Sequence, residues 1–233
     1  MVCYLCGNQI DGAPSRDHVP PQQLFAPAVR REHNVSALVT LPTHPDCNGA
    51  YNLDEEYTVR ALAIPVYDSP TARAVVDHGW AKARRGSSVG LHRKLMKAAT
   101  DRPSELILPD GKAGMKLEGA RVKRIIWKIT RGLYFLEHAQ VLPEHTKFAV
   151  EVREPETRDS SHLDDLWETV RSQPSRGAYQ AVFAHKYFKA TETDETIHGW
   201  AMLWWDRMIL YCAHFDPSDA PRDVDAVSGA QTA

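Results

Sequence analysis

Two short pairs near the amino terminus carry ligand chemistry: Cys3-x-x-Cys6 and His44-x-x-Cys47. Three thiols and an imidazole, each pair separated by a two-residue gap, have the donor types and spacing that a tetrahedral zinc ion needs. His33 is a second candidate for the fourth ligand, and the matching gap favours His44. Between the pairs stand Asp17 and His18, and Asn48 directly follows Cys47. A carboxylate and a carboxamide offer oxygens to a hard divalent ion, and an imidazole offers a general base near neutral pH.

The flanking sequence suggests how these groups are held. Gly7 follows Cys6 in a tight turn, where a residue without Cβ is useful. Residues 15–19 are expected to form a short strand ended by Pro20-Pro21, and residues 37–41 the returning strand. The polar stretch 22–34 reads as irregular. A helix is expected over 46–63, with Asp46 near its positive end. On such a helix Asn48, Tyr51 or Asn52, and Glu55 share a face. Glu55, within the acidic run 54–56, reads as a solvated position or as an additional metal or water contact.

Further on, residues 69–99 read as two helical pieces broken around 85–88, and 101–109 as a linker. Residues 117–138 form the clearest amphipathic pattern. Val122, Ile125, Ile129, Leu133 and Leu136 recur at the helical period, with Arg124, Lys128 and Arg131 on another face. After Pro143 the pattern becomes alternating. Strands are expected over 146–152 and 178–189, a helix over 161–172, and an aromatic-rich stretch over 197–215, together an antiparallel sheet of three or four strands. Trp200, Trp204 and Trp205 read as sheet core, with a stacking platform for unpaired bases as the other reading. Residues 216–233 are small and polar and are expected to be disordered.

Composition narrows the classes. At 233 residues and 43 % hydrophobic, the chain is long enough to bury a core. Four cysteines are too few for a disulfide scaffold, and Cys212, in an apolar run, reads as a small buried hydrophobe. No run approaches the roughly 20 apolar residues of a membrane span, and no signal peptide is visible, so a cytoplasmic protein is expected. The net charge of −2 conceals an uneven distribution. Lys and Arg against Asp and Glu number 5 and 9 over residues 1–79, 14 and 4 over 80–131, and 9 and 17 over 132–233. The middle segment is thus the natural surface for a phosphate backbone, through Arg84, Arg85, Arg93, Lys94, Lys97, Arg124, Lys128 and Arg131. The bland reading is a solvated face paired to the acidic C-terminal third. No motif for reading bases is evident.

The arrangement Asp17-His18, Pro20, Asn34, Cys47-Asn48 inside a zinc-type frame resembles the HNH, or ββα-metal, endonucleases, with a site most like the phage junction-resolvase subtype. The resemblance covers about the first quarter of the chain. It implies a zinc-stapled ββα-metal nuclease module over 1–66; together with the patterns above, the expected fold is α+β, with a basic helical region over 67–140, a C-terminal antiparallel-sheet region over 141–215 and a disordered tail over 216–233. It implies hydrolysis of phosphodiester bonds in DNA, with RNA also open. His18 would be the general base. Asp17 and Asn48 would hold one Mg²⁺ or Mn²⁺ ion, Asn34 would tie the connecting loop to the strand, and Zn²⁺ on Cys3, Cys6, His44 and Cys47 would be structural. The alternatives are a non-catalytic zinc module that binds nucleic acid, and a regulatory protein whose acidic C-terminal region binds a partner.

Overall fold

The computed structural model describes residues 1–100, 114–153, 169–192 and 195–216. The expected linker at 101–109, most of the expected helix at 161–172 and nearly all of the tail lie outside these.

The chain opens with a knuckle, closed by the Gly7 N–H donating to the Cys3 carbonyl at 2.9 Å and by a bridge between Val2 and Gln9. Gly7 takes φ +77°, a backbone conformation that residues with a Cβ rarely adopt. Strand β1 (Ser15–His18) pairs antiparallel with β2 (Thr40–Thr43), Ser15 opposite Thr43 and His18 opposite Thr40. The returning strand begins three residues later than the alternation at 37–41 suggests. It accepts Pro42 because a two-stranded ribbon leaves each strand an unpaired edge. The stretch read as irregular holds a 3₁₀ turn (Gln22–Leu24) and helix α1 (Pro27–Glu32), with Pro27 at the first helical position. Leu24, Phe25, Ala26 and Val29 drive both into the core.

The helix expected over 46–63 is two helices, α2 (Pro45–Gly49) and α3 (Asn52–Ala63). Asn48 and Gly49 are weak helix formers, and the chain turns at 50–51. Helix α3 is buried almost throughout from Tyr57 to Ala63 because α4 (Pro70–Arg84) and α6 (Gly119–His138) both pack on it. Helix α5 (Val89–Ala98) follows α4 after the expected break, where Gly86 and Ser88 are left-handed. A short ribbon of β3 (Ala99–Thr100) and β4 (Gly114–Met115) precedes α6.

The C-terminal sheet has five antiparallel strands, one more than the upper expectation. They are β5 (Phe148–Arg153), β6 (Arg176–Tyr179), β7 (Phe183–Glu192), β8 (Glu195–Trp204) and β9 (Met208–Phe215), in the order β5-β9-β8-β7-β6. Its three-residue β8–β9 connection, in which the Arg207 N–H donates to the Trp204 carbonyl at 3.1 Å, places both Trp205 and Asp206 at positive φ, a turn geometry that matches strand twist in hairpins. Trp205 is buried there; its indole N–H donates to the Leu24 carbonyl at 3.1 Å, and its own carbonyl accepts from Ser69 Oγ at 2.7 Å. The three tryptophans are therefore core, which removes the stacking platform. One apolar cluster runs from Cys3 and Tyr4 through α3 and α6 to Met208 and Cys212, so the amino-terminal hairpin and the sheet share a core. No helix among the described residues is long and apolar enough to cross a membrane.

Candidate metal centre and the strand beside it

The knuckle and the start of α2 bring Cys3, Cys6, His44 and Cys47 together, with one donor atom of each lying within 4.8 Å of all the others. Tetrahedral thiolates on a zinc ion stand about 3.8 Å apart, by the usual bond length of about 2.3 Å, so a small inward movement closes the set on one ion. His44 directs Nδ1 at the thiols, 3.3 Å from Cys6 Sγ and 3.8 Å from Cys47 Sγ. Its Nε2 lies 3.0 Å from the Gln9 carbonyl. A carbonyl only accepts, so Nε2 carries the hydrogen and Nδ1 keeps its lone pair for a metal. Anchoring the second ring nitrogen in this way is the outer-sphere support that metal-bound histidines use. His33, the rival ligand, is exposed outside the cluster.

The thiols also have the electrostatics of a cation site. Burial raises the Cys3 thiol, but the backbone N–H groups of Cys6, His44 and Leu5 outweigh it and bring the thiol down to about 7. Burial, followed by the negative charge on Cys3, pushes Cys47 up to about 12. One thiolate forms readily and suppresses the next, so full ionisation needs a positive ion among them. Helix α6 fixes the knuckle from behind, where Arg131 donates to the carbonyls of Leu5 and Leu142.

Alternation along β1 puts Ser15 and Asp17 on one face and Arg16 and His18 on the other. Asn48 reaches the first face, its amide donating to Ser15 Oγ at 2.9 Å. Asp17 is 4 % exposed and fully engaged. The Tyr4 hydroxyl donates to it, and Lys128 Nζ stands 2.8 Å from both carboxylate oxygens. Lys128 also pairs with Glu55. Burial raises the Glu55 carboxyl despite that lysine, and burial together with the Asp17 charge raises the Tyr4 hydroxyl far above its ordinary range. Glu55 is thus neither a solvated position nor a group open to water.

His18 occupies the other face, beside Thr40 across the ribbon, while Arg16 Nε donates to Thr40 Oγ1 at 3.0 Å. Burial lowers its pKa; Asp17 opposes, and the charges of Arg30 and Lys128 lower it further. The imidazole is therefore neutral at neutral pH, the state a general base requires. Helix α6 approaches the end of this strand closely. A Cβ on Gly132 would lie 2.6 Å from Val19 Cγ2, so only glycine lets the helix sit there without displacing the residue after His18. Asn34 is exposed in a left-handed conformation after α1, with no side-chain hydrogen bond among the described residues, so it does not tie the loop as expected.

The basic candidates divide. Arg84, Arg85, Arg93, Lys94 and Lys97 are exposed on α4, α5 and the turn between them, with Lys94 paired to Glu118 at 2.6 Å. Arg124 is exposed but pairs with Asp54. Lys128 and Arg131, each 1 % exposed, are not a phosphate-facing stripe. They serve the buried carboxylates and the knuckle instead. Tyr4, missed from the sequence, has no local signature. The burial of Lys128 does: it lies in IIWKITRGLYFL, apolar on nearly every side, so a cation there must turn inward.

Comparison with protein-family models, curated proteins and solved structures gave no match.

Proposed function

We propose that this chain is an HNH-type endonuclease module that hydrolyses phosphodiester bonds in DNA, with His18 as general base and a structural zinc ion on Cys3, Cys6, His44 and Cys47. The observation that carries this reading is an antiparallel hairpin and following helix held at one corner by four metal-type ligands; Asn48, next to the last ligand, meets the Asp17 face of the first strand, and His18 stands on its opposite face. Three thiols and an oriented imidazole fit zinc, which would supply the charge that lets the thiolates coexist and would fix the start of α2.

A hard ion on Asp17 and Asn48 fits less well. Both oxygens of Asp17 already face an ammonium, and a divalent ion there would have to displace Lys128 or share a buried pocket with it. The steps assigned to this chain therefore involve its own groups. Neutral His18 takes a proton from the attacking water, while exposed arginines of α4 and α5 hold the strand by its phosphates. The same engagement of Asp17 favours a second reading, a zinc-stapled nucleic-acid-binding module without hydrolysis.

Nicking of supercoiled plasmid by zinc-loaded protein, with and without Mg²⁺ or Mn²⁺, separates the two readings. Cleavage that vanishes in His18→Ala supports the first. Plasmid binding with no cleavage under any of these conditions supports the second.

A further inference from the structure

A cleft of about 370 Å³ lies between the 3₁₀ turn with α1 on one side and α3 with α4 on the other. Arg30, Arg60 and Lys82 line it with His78, and Glu56 is its one acidic group. That carboxylate is already shared: one oxygen accepts from Ser88 Oγ at 2.6 Å and Lys82 Nζ at 3.0 Å, and stands 3.7 Å from Arg60 Nη1. Three fixed cations therefore face a single anion. Arg60 is 6 % exposed, and its Nη1 has no hydrogen-bond partner among the described residues. Arg30, unlike Arg60 and Lys82, makes no ion pair among the described residues. A buried guanidinium with an unused N–H is a costly arrangement unless something accepts from it.

The fold makes room for that guanidinium on purpose. Gly79 stands within α4, where glycine is among the poorest helix formers. A Cβ at that position would lie 2.6 Å from Arg60 Nε and 3.0 Å from its Cζ. The missing side chain is the seat of the arginine. The cleft is larger than one phosphate group can fill, and Gln23 and Asn52 add amide donors and acceptors to its wall. Exposed Leu53 adds an apolar rim. Its size falls within the range of small-ligand sites.

The geometry points to a phosphate-binding site in this cleft, formed by Arg60, Arg30 and Lys82, that takes a phosphate group together with its attached nucleoside. It deepens the nucleic-acid reading, on which only the nature of the ligand rests.

Titration calorimetry at low salt with inorganic phosphate, a nucleoside 5′-monophosphate and a short single-stranded oligonucleotide tests this. The monophosphate and the oligonucleotide bind the unaltered chain, inorganic phosphate more weakly, and Arg60→Gln and Arg30→Gln each weaken binding about tenfold or more. Gly79→Ala, which pushes the guanidinium aside while keeping its charge, weakens it too. Arg207→Gln, outside the lining of the cleft, does not. If only the oligonucleotide binds, the site serves a strand; if the monophosphate binds equally well, it serves a free nucleotide. Absence of binding by all three probes overturns the proposal. So does binding that is unchanged in Arg30→Gln and Gly79→Ala, which keeps the test intact should Arg60→Gln fail to fold. A monophosphate bound without plasmid cleavage would leave the cleft standing and remove the nuclease reading. Cleavage with none of the three probes bound would do the reverse.

Discussion

Replacing Lys128 with methionine removes an ammonium from among Asp17, Glu55 and the Tyr4 hydroxyl while keeping the length and packing of the side chain. Among the described residues no other cation pairs with Asp17, and a lysine that is 1 % exposed is shut off from water. Breaking a buried pair in this way costs about 3–5 kcal/mol, because the stranded carboxylate keeps its desolvation penalty. For a chain of this size each kcal/mol lowers the melting temperature by about 2–4 °C, so the variant should melt roughly 10 °C lower. Calorimetry and urea denaturation of Lys128→Met measure the loss. Lys128→Met with Glu55→Gln should recover at least about 1 kcal/mol, because one stranded charge is gone. A single-variant loss below about 1 kcal/mol, typical of an exposed pair, would refute the buried network. Equal stability of the single and double variants would refute it too.

Further outcomes concern the metal, acid and packing. Chelation, or Cys47→Ser, should lower the melting temperature and release one zinc per chain, whereas Cys212→Ser, away from the cluster, should retain the metal; elemental analysis beside a thermal melt reads both. His214 should make the protein acid-sensitive. It is 2 % exposed, its Nδ1–H donates to the Phe215 carbonyl at 2.8 Å, and its Nε2 accepts from the Trp200 indole at 3.3 Å, so both nitrogens are committed to the neutral ring. Burial brings it down to about 4, against an ordinary 6.5. The unfolded chain then takes up the proton first, and the stability present above pH 6.5 falls by about 3 kcal/mol as pH drops towards 4; His214→Gln should flatten that slope in a denaturation series. Gly132→Ala should cost about 1–3 kcal/mol by forcing α6 off Val19, measurable in urea.

The cluster of Cys3, Cys6, His44 and Cys47 was legible because its signal is local: two ligand pairs with equal gaps mark a candidate metal site whatever the distant chain does. The helices at 70–84 and 89–98 were legible because Gly86 and the serines beside it punctuate them. Three features were hidden for physical reasons. Helix α1 is only six residues long and owes its place to Leu24, Phe25 and Val29 packing into a core built by distant segments. The Trp205-Asp206 turn carries none of the Asn-Gly chemistry that announces a hairpin; tertiary bonds to Leu24 and Ser69 hold it. The stripe Arg124, Lys128, Arg131 was read outward from its spacing, but α6 is covered on most sides, which leaves Leu136, expected in the core, 47 % exposed. The candidate site was correspondingly legible in its four metal-type ligands. It was not legible in the partners that engage Asp17, since Tyr4, Glu55 and Lys128 meet only through tertiary packing.

If His18 is the general base for phosphodiester hydrolysis, its removal must slow nicking. The most direct test is the ratio of plasmid-nicking rates for the unaltered chain and His18→Ala at matched zinc content and melting temperature. Loss of a positioned base slows such a reaction by about 10²–10⁴-fold, and a ratio of at least 100 is predicted. A ratio near one, with both proteins folded and zinc-loaded, would contradict the account.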